Sequence, residues 1–293
     1  MTQDTQQSLS VLVLGADGML SRDVIKTLKL KYEVCGRDCG DFDITEENTT
    51  RQRILEIDPD IVINTAAFTD VDGCEVEVEK AFMVNAQGAK NVALACKEGK
   101  IKLVHISTDY VFDGTKFSPY LEDDPPHPLS VYGKSKLEGE QYVKEIGEDF
   151  CIIRTAWLYG RRGKNFVHTI LRLAKTEKEL TIVDDQIGPP TCTYDLACAI
   201  DTLLVHNPEG VYHITNGGAC SWYEFAVEIL KLAHMNTVKV KPVGSDVYVR
   251  PAKRPAYSVL DCSKFEKETG LFLRPWKDAL KEFLLEDSAL CSQ

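Results

Sequence analysis

The chain has 293 residues, of which 34 are Lys or Arg and 45 are Asp or Glu, so its formal net charge is −11. Hydrophobic residues make up 44% of it, which is typical of a globular protein and excludes a wholly disordered one. The negative charge argues against nucleic acid as a partner, because it repels phosphate backbones. No apolar run approaches the roughly 20 residues that span a bilayer, and the first ten residues do not resemble a signal peptide. We therefore expect a cytoplasmic location without membrane contact, and ten reduced cysteines.

Short apolar strands alternate with amphipathic helices in the first half of the chain. Strands are predicted at 9–14, 32–35, 61–64, 101–107 and 150–155, with helical periodicity over 81–95 and from residue 131 onward. Strands that are apolar almost throughout are typical of a sheet covered on both faces. Strand–helix–strand repetition with right-handed crossovers predicts an α/β fold with a doubly wound parallel sheet of the Rossmann type.

The second half of the chain is less regular. It contains predicted helices at 166–174, 221–233 and 276–285 and strand-like pieces at 180–183 and 210–215. We expect a dinucleotide-binding Rossmann domain over 1–160, completed by parts of 180–215. The remainder, 161–293, is predicted to be mainly a smaller, interleaved substrate-binding domain.

A glycine-rich turn follows the first strand and opens a helix. Gly15 and Gly18 would let backbone N–H groups approach a pyrophosphate at the helix N-terminus, which predicts a dinucleotide site. Ser21 stands where a third glycine is often found, and we expect it only to loosen the packing of the helix on the strand.

The end of the second strand bears on the choice of cofactor. A carboxylate there usually binds the ribose of NAD, but this strand leads into Gly36 and Arg37. The Arg37 guanidinium suits the 2′-phosphate of NADPH, so NADPH is favoured and NADH is possible. Two alternatives stay open, since Asp38 could reverse the preference and Arg37 could be an ordinary surface residue.

Small residues follow the third strand. Ala66 and Ala67 would let the backbone lie against the cofactor, although packing alone would explain them equally well.

Tyr132 and Lys136 form the most informative pair. A spacing of four places both side chains on one helix face. A neighbouring ammonium favours the phenolate, so Tyr132 could exchange a proton with a carbonyl oxygen. Thr108, at the end of the fourth strand, supplies a hydroxyl at the sheet edge where these groups would converge.

Other polar and aromatic residues are expected to have structural roles. His105 and His213 are interpreted as hydrogen-bonded core residues, and the run 75–80 as the solvated start of a helix. Trp222, Phe225 and Ile229 would face the core. No cysteine or histidine cluster has the spacing of a metal site, so no metal is predicted.

Ordered together, these motifs resemble the extended short-chain dehydrogenase/reductases, and in particular the dTDP-4-dehydrorhamnose reductases. The resemblance runs from about residue 9 to residue 285. It is carried by GADGML (15–20), FDIT (42–45), AAFTDVD (66–72), STDYVFDG (107–114), VYGKSKLEGE (131–140), RTAWLYG (154–160), NFV (165–167), DQIGPPT (185–191) and RPAYS (254–258).

The resemblance implies roles for residues that match the family's motifs. Gly18, Met19 and Leu20 would present backbone to the pyrophosphate, with Asp43 and Ile44 beside the adenine. Ala67, Phe68 and Thr69 would border the middle of the cofactor. Thr108, Tyr132 and Lys136 match the catalytic hydroxyl, acid and lysine. Asp109 and Trp157 match sugar-nucleotide contacts, and Arg254 a contact to the substrate diphosphate.

The implied activity is reduction of the C4 keto group of dTDP-4-dehydro-L-rhamnose by NAD(P)H, with Tyr132 as the proton donor. Two alternatives are a non-catalytic NADP-binding subunit similar to the regulatory β-subunit of methionine adenosyltransferase, and a reductase of another nucleotide-linked keto-sugar. The segment LDCSK (260–264) is similar to that subunit, whereas the STDY and DQIGPPT segments suit a sugar-nucleotide site. Acidic residues bind a dimer-bridging Mg²⁺ in some dTDP-4-dehydrorhamnose reductases and cannot be placed in this sequence, so Mg²⁺ dependence and the choice between a monomer and a homodimer stay open.

Overall fold

The computed structural model describes residues 8–291, with side chains described through residue 286. In chain order the strands are β1 (Ser10–Leu14), β2 (Glu33–Arg37), β3 (Ile61–Asn64), β4 (Lys102–Thr108), β5 (Phe150–Thr155), β6 (Leu158–Tyr159), β7 (Glu179–Val183), β8 (Ile187–Gly188), β9 (Thr191–Cys192), β10 (Gly210–His213), β11 (Cys220–Ser221) and β12 (Lys239–Val243).

The helices alternate with these strands in the first half and gather in the second. They are α1 (Met19–Leu28), α2 (Glu47–Ile57), α3 (Val71–Val76), α4 (Val78–Phe82), α5 (Gly88–Gly99), α6 (Val131–Ile146), α7 (Phe166–Leu173), α8 (Thr193–Val205), α9 (Trp222–Leu232), α10 (Ser263–Thr269) and α11 (Trp276–Cys291). Within the described residues, no helix combines the length and the apolar character needed to cross a membrane.

The main sheet has six parallel strands in the order β10–β5–β4–β3–β1–β2. The order reverses direction between β1 and β3, as it does in a doubly wound nucleotide-binding fold. The predicted fold class is therefore confirmed. Strand β2 begins one residue later and ends two residues later than predicted, because Arg37 still pairs with Leu14 of β1.

Apolar side chains cover both faces of this sheet. On one face α1, α8 and α10 pack against residues such as Val13 and Ile106, and on the other α2, α5 and α6 pack against residues such as Leu12 and Ile152. A third cluster belongs to the second half of the chain, where α7, α9 and α11 pack on one another around Phe225. The exact division between 1–160 and 161–293 stays a prediction.

Two helical segments differ from expectation. The periodic segment 81–95 contains a π-helical turn, Met83–Gln87, ahead of α5. The run 75–80 spans two short helices, α3 and α4, and it is not simply a solvated helix start. The Glu75 carboxylate accepts a hydrogen bond from the backbone N–H of Val131 (2.7 Å), so it supports the first turn of α6.

Helix α6 is attached to the sheet by a buried ion pair. The Arg154 guanidinium of β5 donates two hydrogen bonds to the Glu140 carboxylate of α6 (2.9 and 2.7 Å). The Ser107 hydroxyl of β4 donates to the same carboxylate (2.6 Å). Both charged side chains are almost completely buried, so each depends on the other for compensation of its charge.

We predict that Arg154→Met destabilises the protein by about 3–5 kcal/mol, because it leaves the Glu140 carboxylate buried without its partner. The measurement is the free energy of unfolding in urea. The double variant Glu140→Gln/Arg154→Met should recover a large part of the loss, since neither charge remains. A single variant as stable as the wild type would show that the pair does not hold α6.

Candidate active site

The glycine-rich turn between β1 and α1 packs closely against the backbone of the loop that follows β3. Gly15 has φ +76°, and a Cβ on it would lie 2.8 Å from the Cα atom of Ala66. Gly18 is the N-cap of α1, and the first turn of that helix carries no acidic residue. Its free N–H groups therefore suit an anion such as a pyrophosphate.

Ser21 does not loosen this turn, and that prediction was wrong. Its hydroxyl lies 2.5 Å from the carbonyl oxygen of Gly15 and 2.6 Å from the Thr65 hydroxyl, so it can donate its hydrogen to either oxygen. Thr65 in turn donates to the carbonyl oxygen of Leu14 (2.6 Å). The serine thus joins the ends of β1 and β3, whereas a glycine would contribute no hydroxyl there.

A cavity of about 380 Å³ lies beside this turn. Its size falls in the range of small-molecule sites. Most of the residues predicted to contact the cofactor line it, namely Gly15, Gly18, Arg37, Asp43, Ile44, Ala66, Ala67 and Phe68. Five of the predicted residues do not line it, namely Met19, Leu20, Thr69, Tyr132 and Lys136, and the Leu20 side chain packs in the core. Lys80, which sequence reasoning missed, also lines the cavity and lies 4.5 Å from the ring centre of Phe68.

Arg37 and Asp38 differ in the hydrogen bonds that their side chains make beside this cavity. The Asp38 carboxylate accepts hydrogen bonds from the backbone N–H groups of Asp17 (3.3 Å) and Cys39 (2.8 Å). The Arg37 guanidinium donates to the carbonyl oxygen of Gly36 (2.9 Å) and keeps further N–H donors for a ligand. Both side chains line the cavity, and the Arg37 guanidinium keeps donors that a ligand could use.

The loop after β3 is held by Asn85 of the π-helical turn. The Asn85 amide accepts from the backbone N–H of Phe68 (2.8 Å) and donates to the carbonyl oxygen of Phe68 (3.1 Å) and the hydroxyl of Ser135 (3.0 Å). One side chain thus connects the wall of the cavity to α6. A π-helical turn often marks a functional site, because it redirects side chains.

Thr108, Asp109 and Tyr132 meet at the carboxyl end of β4. The Thr108 hydroxyl donates to the Asp109 carboxylate (3.1 Å) and accepts from the backbone N–H of Tyr110 (3.2 Å). The Ser130 hydroxyl caps α6 by accepting from the N–H of Gly133 (3.1 Å), which places Tyr132 in the first helical turn. Burial raises the pKa of the Tyr132 phenol, while the Thr108 hydroxyl beside it acts in the opposite direction.

The sequence suggested that the Lys136 ammonium lowers the pKa of Tyr132, but Lys136 does not counteract the raised pKa of this phenol. Its Nζ atom donates to the carbonyl oxygen of Ile106 (2.7 Å) and lies 3.4 Å from Nε2 of His105. Burial lowers the pKa of Lys136 to about 8, against the field of Glu140, which raises it. Tyr132 is therefore protonated at neutral pH, which is the form that a proton donor needs.

The second cleft is larger, about 860 Å³, and lies on the side of the C-terminal helices. Tyr110, Phe166, Trp222 and Arg254 are among its lining residues. The ring of Tyr110 contacts that of Tyr132 edge to face, with centroids 5.8 Å apart, so the cleft lies next to Tyr132.

Trp222 was predicted to face the core together with Phe225 and Ile229. The side chains of Phe225 and Ile229 are buried in the core, as predicted. Trp222 is partly buried and packs against the same core cluster, but it also lines the cleft, which the sequence did not indicate. Its indole stacks on that of Trp157, with ring centres 3.5 Å apart and planes 6° from parallel. Trp157 has φ +47°, a costly conformation for a bulky residue, and the stacking helps to hold it there.

Arg254 is held at the cleft by a residue that sequence reasoning missed. Its guanidinium donates to both oxygens of Asp72 on α3 (3.1 and 2.9 Å), and Arg250 donates to the same carboxylate (3.3 Å). Although burial opposes it, the hydrogen bond from Arg254 contributes to a lowered pKa of Asp72. The contact ties the cleft loop to the helix that follows β3.

The two predicted core histidines are both buried and hydrogen-bonded. Nδ1 of His213 lies 2.9 Å from the carbonyl oxygen of Tyr120. Among the described side chains, no group of three or more His, Cys, Asp or Glu is arranged to hold a metal ion.

These features define a dinucleotide-binding Rossmann protein with a ligand cleft beside its tyrosine–lysine pair. The family model described as the RmlD substrate binding domain matches residues 9–288. The chain belongs to this family, and the predicted resemblance to the dTDP-4-dehydrorhamnose reductases is confirmed.

Similar proteins support the same assignment. The chain is 45% identical to the spore coat polysaccharide biosynthesis protein SpsK of Bacillus subtilis, covering 96% of this chain and 99% of that protein. It is 40% identical to the dTDP-4-keto-6-deoxy-D-glucose reductase of Streptomyces niveus, covering 92% and 95%. The crystal structure of dTDP-4-dehydrorhamnose reductase from Bacillus anthracis in complex with NADP matches with a TM-score of 0.93 at 40% identity, covering 96% and 100%.

The buried carboxyl group of Asp109 should make the stability of the protein depend on pH. Ser258 and Thr108 lie beside it and act to lower its pKa, but burial outweighs them and raises the pKa to about 7. No described donor reaches its Oδ2 atom in hydrogen-bond geometry. The folded protein therefore holds this proton more tightly than the unfolded chain, so the stabilisation is complete below about pH 4 and is lost as the pH rises through 7.

We predict that Asp109→Asn reduces the loss of stability between pH 5 and pH 7.5, measured as the free energy of unfolding in urea. The slope contributed by one such group is at most about 1.4 kcal/mol per pH unit. Asp113→Asn is the matched control: hydrogen bonds from Thr115 lower the pKa of Asp113, so this carboxylate is ionised in both states between pH 5 and pH 7.5 and its loss should leave the slope unchanged. An unchanged slope in Asp109→Asn would contradict the assignment.

Proposed function

We propose that this chain reduces the C4 keto group of dTDP-4-dehydro-L-rhamnose with NADPH, giving dTDP-L-rhamnose. The observation that carries the proposal is the contact of Tyr132 on α6 with Thr108 at the carboxyl end of β4, next to Tyr110, which lines the larger cleft. A reductase needs its proton donor next to the site of its substrate.

The residues around the smaller cavity suit NADPH. The cavity beside Gly15 and Gly18 and the free N–H groups at the start of α1 would accept the pyrophosphate. Arg37 would bind the 2′-phosphate, and Asp43 and Ile44 would border the adenine. The Bacillus anthracis relative binds NADP, which supports this preference, while NADH stays possible as a second donor.

Bound NADPH would supply the hydride for the C4 carbon. The phenol of Tyr132 would donate its proton to the carbonyl oxygen as negative charge develops there. Thr108 would hydrogen-bond the same oxygen, and Lys136 would supply a proton to the Tyr132 phenolate that remains after proton transfer. Lys136 would also hold the nicotinamide ribose.

The larger cleft would hold the sugar nucleotide. Arg254 is oriented by Asp72 and would donate charge-assisted hydrogen bonds to the diphosphate. Asp109, next to Thr108, would contact the sugar, and Trp157 would do so from its stack on Trp222.

We predict that Tyr132→Phe lowers kcat by about 10²–10⁴-fold, the usual contribution of a general acid. The assay follows NADPH oxidation at 340 nm with dTDP-4-dehydro-L-rhamnose as the substrate. The affinity for NADPH should change little, because the substitution removes only a hydroxyl. Tyr142→Phe is the matched control, since Tyr142 lies on the same helix and its hydroxyl donates to Glu138, remote from β4. Unchanged turnover in Tyr132→Phe would remove Tyr132 from the role of acid.

The same assay separates the other two candidate functions. Tight NADPH binding without turnover of any keto-sugar would favour the non-catalytic regulatory subunit. A reductase of another nucleotide-linked keto-sugar is supported by the likeness to the Streptomyces niveus reductase, whose named substrate is dTDP-4-keto-6-deoxy-D-glucose. Comparing kcat/KM for the two dTDP-linked ketones decides between these substrates.

We predict that Arg37→Ala weakens NADPH binding by about 10–100-fold and leaves NADH binding nearly unchanged, because one charge-assisted contact to the 2′-phosphate is lost. The measurement is the Kd of each cofactor by calorimetry. Arg53→Ala, an exposed arginine on α2, is the control for the loss of a positive charge. Equal losses for the two cofactors would show that Arg37 does not read the 2′-phosphate.

A further inference from the structure

A chain of three buried polar side chains runs from the sheet to the candidate catalytic lysine. Asn64 of β3 and His105 of β4 are paired residues of adjacent strands, and their side chains meet at 3.3 Å between Nδ2 and Nδ1. The other ring nitrogen of His105, Nε2, lies 3.4 Å from Nζ of Lys136 on α6. All three side chains are at most 2% exposed, so each group depends on its neighbours for partners.

The orientation of the Asn64 amide follows from its other contact. Its Oδ1 atom accepts a hydrogen bond from the backbone N–H of Ala66 (3.1 Å), a group that can only donate. Turning the amide over would set its NH₂ group against that N–H and lose the hydrogen bond. The Nδ2 atom of Asn64 is therefore the one that faces His105.

The amide orientation sets the tautomer of the imidazole. Because Nδ2 of Asn64 donates, Nδ1 of His105 must accept, and a neutral ring then carries its hydrogen on Nε2. Burial, aided by the Lys136 charge, moves the pKa of His105 well below its usual range, so the ring is neutral. The N–H of Nε2 consequently faces Lys136.

We propose that His105 is a positioning residue that weakens the hold of Lys136 on its proton through this Nε2–H group. The Nε2–H group of His105 can donate a hydrogen bond to the lone pair of a neutral Lys136 amine. An ammonium has no lone pair, so one of its N–H groups would face the Nε2–H group unfavourably. The contact therefore favours the neutral form of Lys136. The Lys136 amine meanwhile donates to the carbonyl oxygen of Ile106 (2.7 Å), which it can do in either form. The catalytic meaning of this effect rests on the proposed function of Lys136.

The other charged groups around Lys136 act differently. Glu140, one turn further along α6, raises the pKa of Lys136, but its carboxylate is paired with Arg154 of β5 and lies 3.5 Å from Nζ of Lys144. Tyr132, one turn before Lys136, is protonated and uncharged. The pKa of Lys136 is about 8 in these surroundings, in the direction that the His105 tautomer also favours. A lysine that gains and loses its proton near neutral pH can restore the proton that Tyr132 gives up.

The first test is the tautomer itself in the resting protein, read from ¹⁵N chemical shifts of labelled histidine by long-range ¹H–¹⁵N correlation. His105 is assigned by the loss of its signals in His105→Gln. We expect hydrogen on Nε2 and none on Nδ1 between pH 6.5 and pH 8. Hydrogen on Nδ1 would overturn the proposal.

The second test is the titration of Lys136, followed with ¹³Cε-labelled lysine and assigned by its loss in Lys136→Arg. His105→Leu removes the N–H donor and should raise the pKa of Lys136 by about one unit, the scale of one such interaction. His105→Gln can accept from Asn64 through its oxygen and donate to Lys136 through its nitrogen, so the pKa should stay near the wild-type value. Equal pKa values in the wild type and His105→Leu would overturn the proposal.

Both tests are independent of turnover. They use the folded chain without substrate, so an inactive protein in the reductase assay leaves them intact. Conversely, if the protein is an active reductase but His105 carries its hydrogen on Nδ1, the proposed function stands and this inference is wrong. Thermal melting of His105→Leu and His105→Gln checks that the lysine titration reports on a folded protein.

Discussion

The position of α6 on the sheet depends on the buried pair between Glu140 and Arg154, and the candidate site depends on α6. Tyr132, Lys136 and Glu140 follow one another at intervals of four residues, so they lie on one face of the helix. A slip of the helix along β4 and β5 would separate the pair and leave a bare charge in the core, at a cost of several kcal/mol. The ion pair thereby sets where the phenol of Tyr132 lies relative to the end of β4.

The same face of α6 explains why so many polar groups are buried beneath it. Lys136 meets His105 and the backbone of β4, while Glu140 meets Ser107 and the end of β5. Each of these groups has a partner, so the low dielectric of the interior strengthens the contacts. The buried environment that holds Lys136 in place is thus also what lowers its pKa.

The two cavities are joined by contacts between segments far apart in the chain. Asp72 on α3 follows the loop that lines the smaller cavity, and it holds Arg250 and Arg254 of the larger cleft. The stack of Trp157 on Trp222 connects the chain after β5 with α9 in the same way. The walls of the cleft are therefore oriented by the part of the fold that carries the cofactor-binding turn.

The sequence by itself determined the doubly wound sheet, the glycine turn and the spacing of Tyr132 and Lys136, because periodicity, missing Cβ atoms and helical geometry are local properties. Its motifs also identified the family. Only the tertiary structure decided the roles of Ser21, Asp72, Glu75 and Trp222, and the partners of Lys136. Each of those depends on a residue at a large separation in the chain, such as Thr65 for Ser21 or Arg254 for Asp72. Burial, hydrogen-bond partners and pKa values arise from such long-range contacts, and no local pattern encodes them.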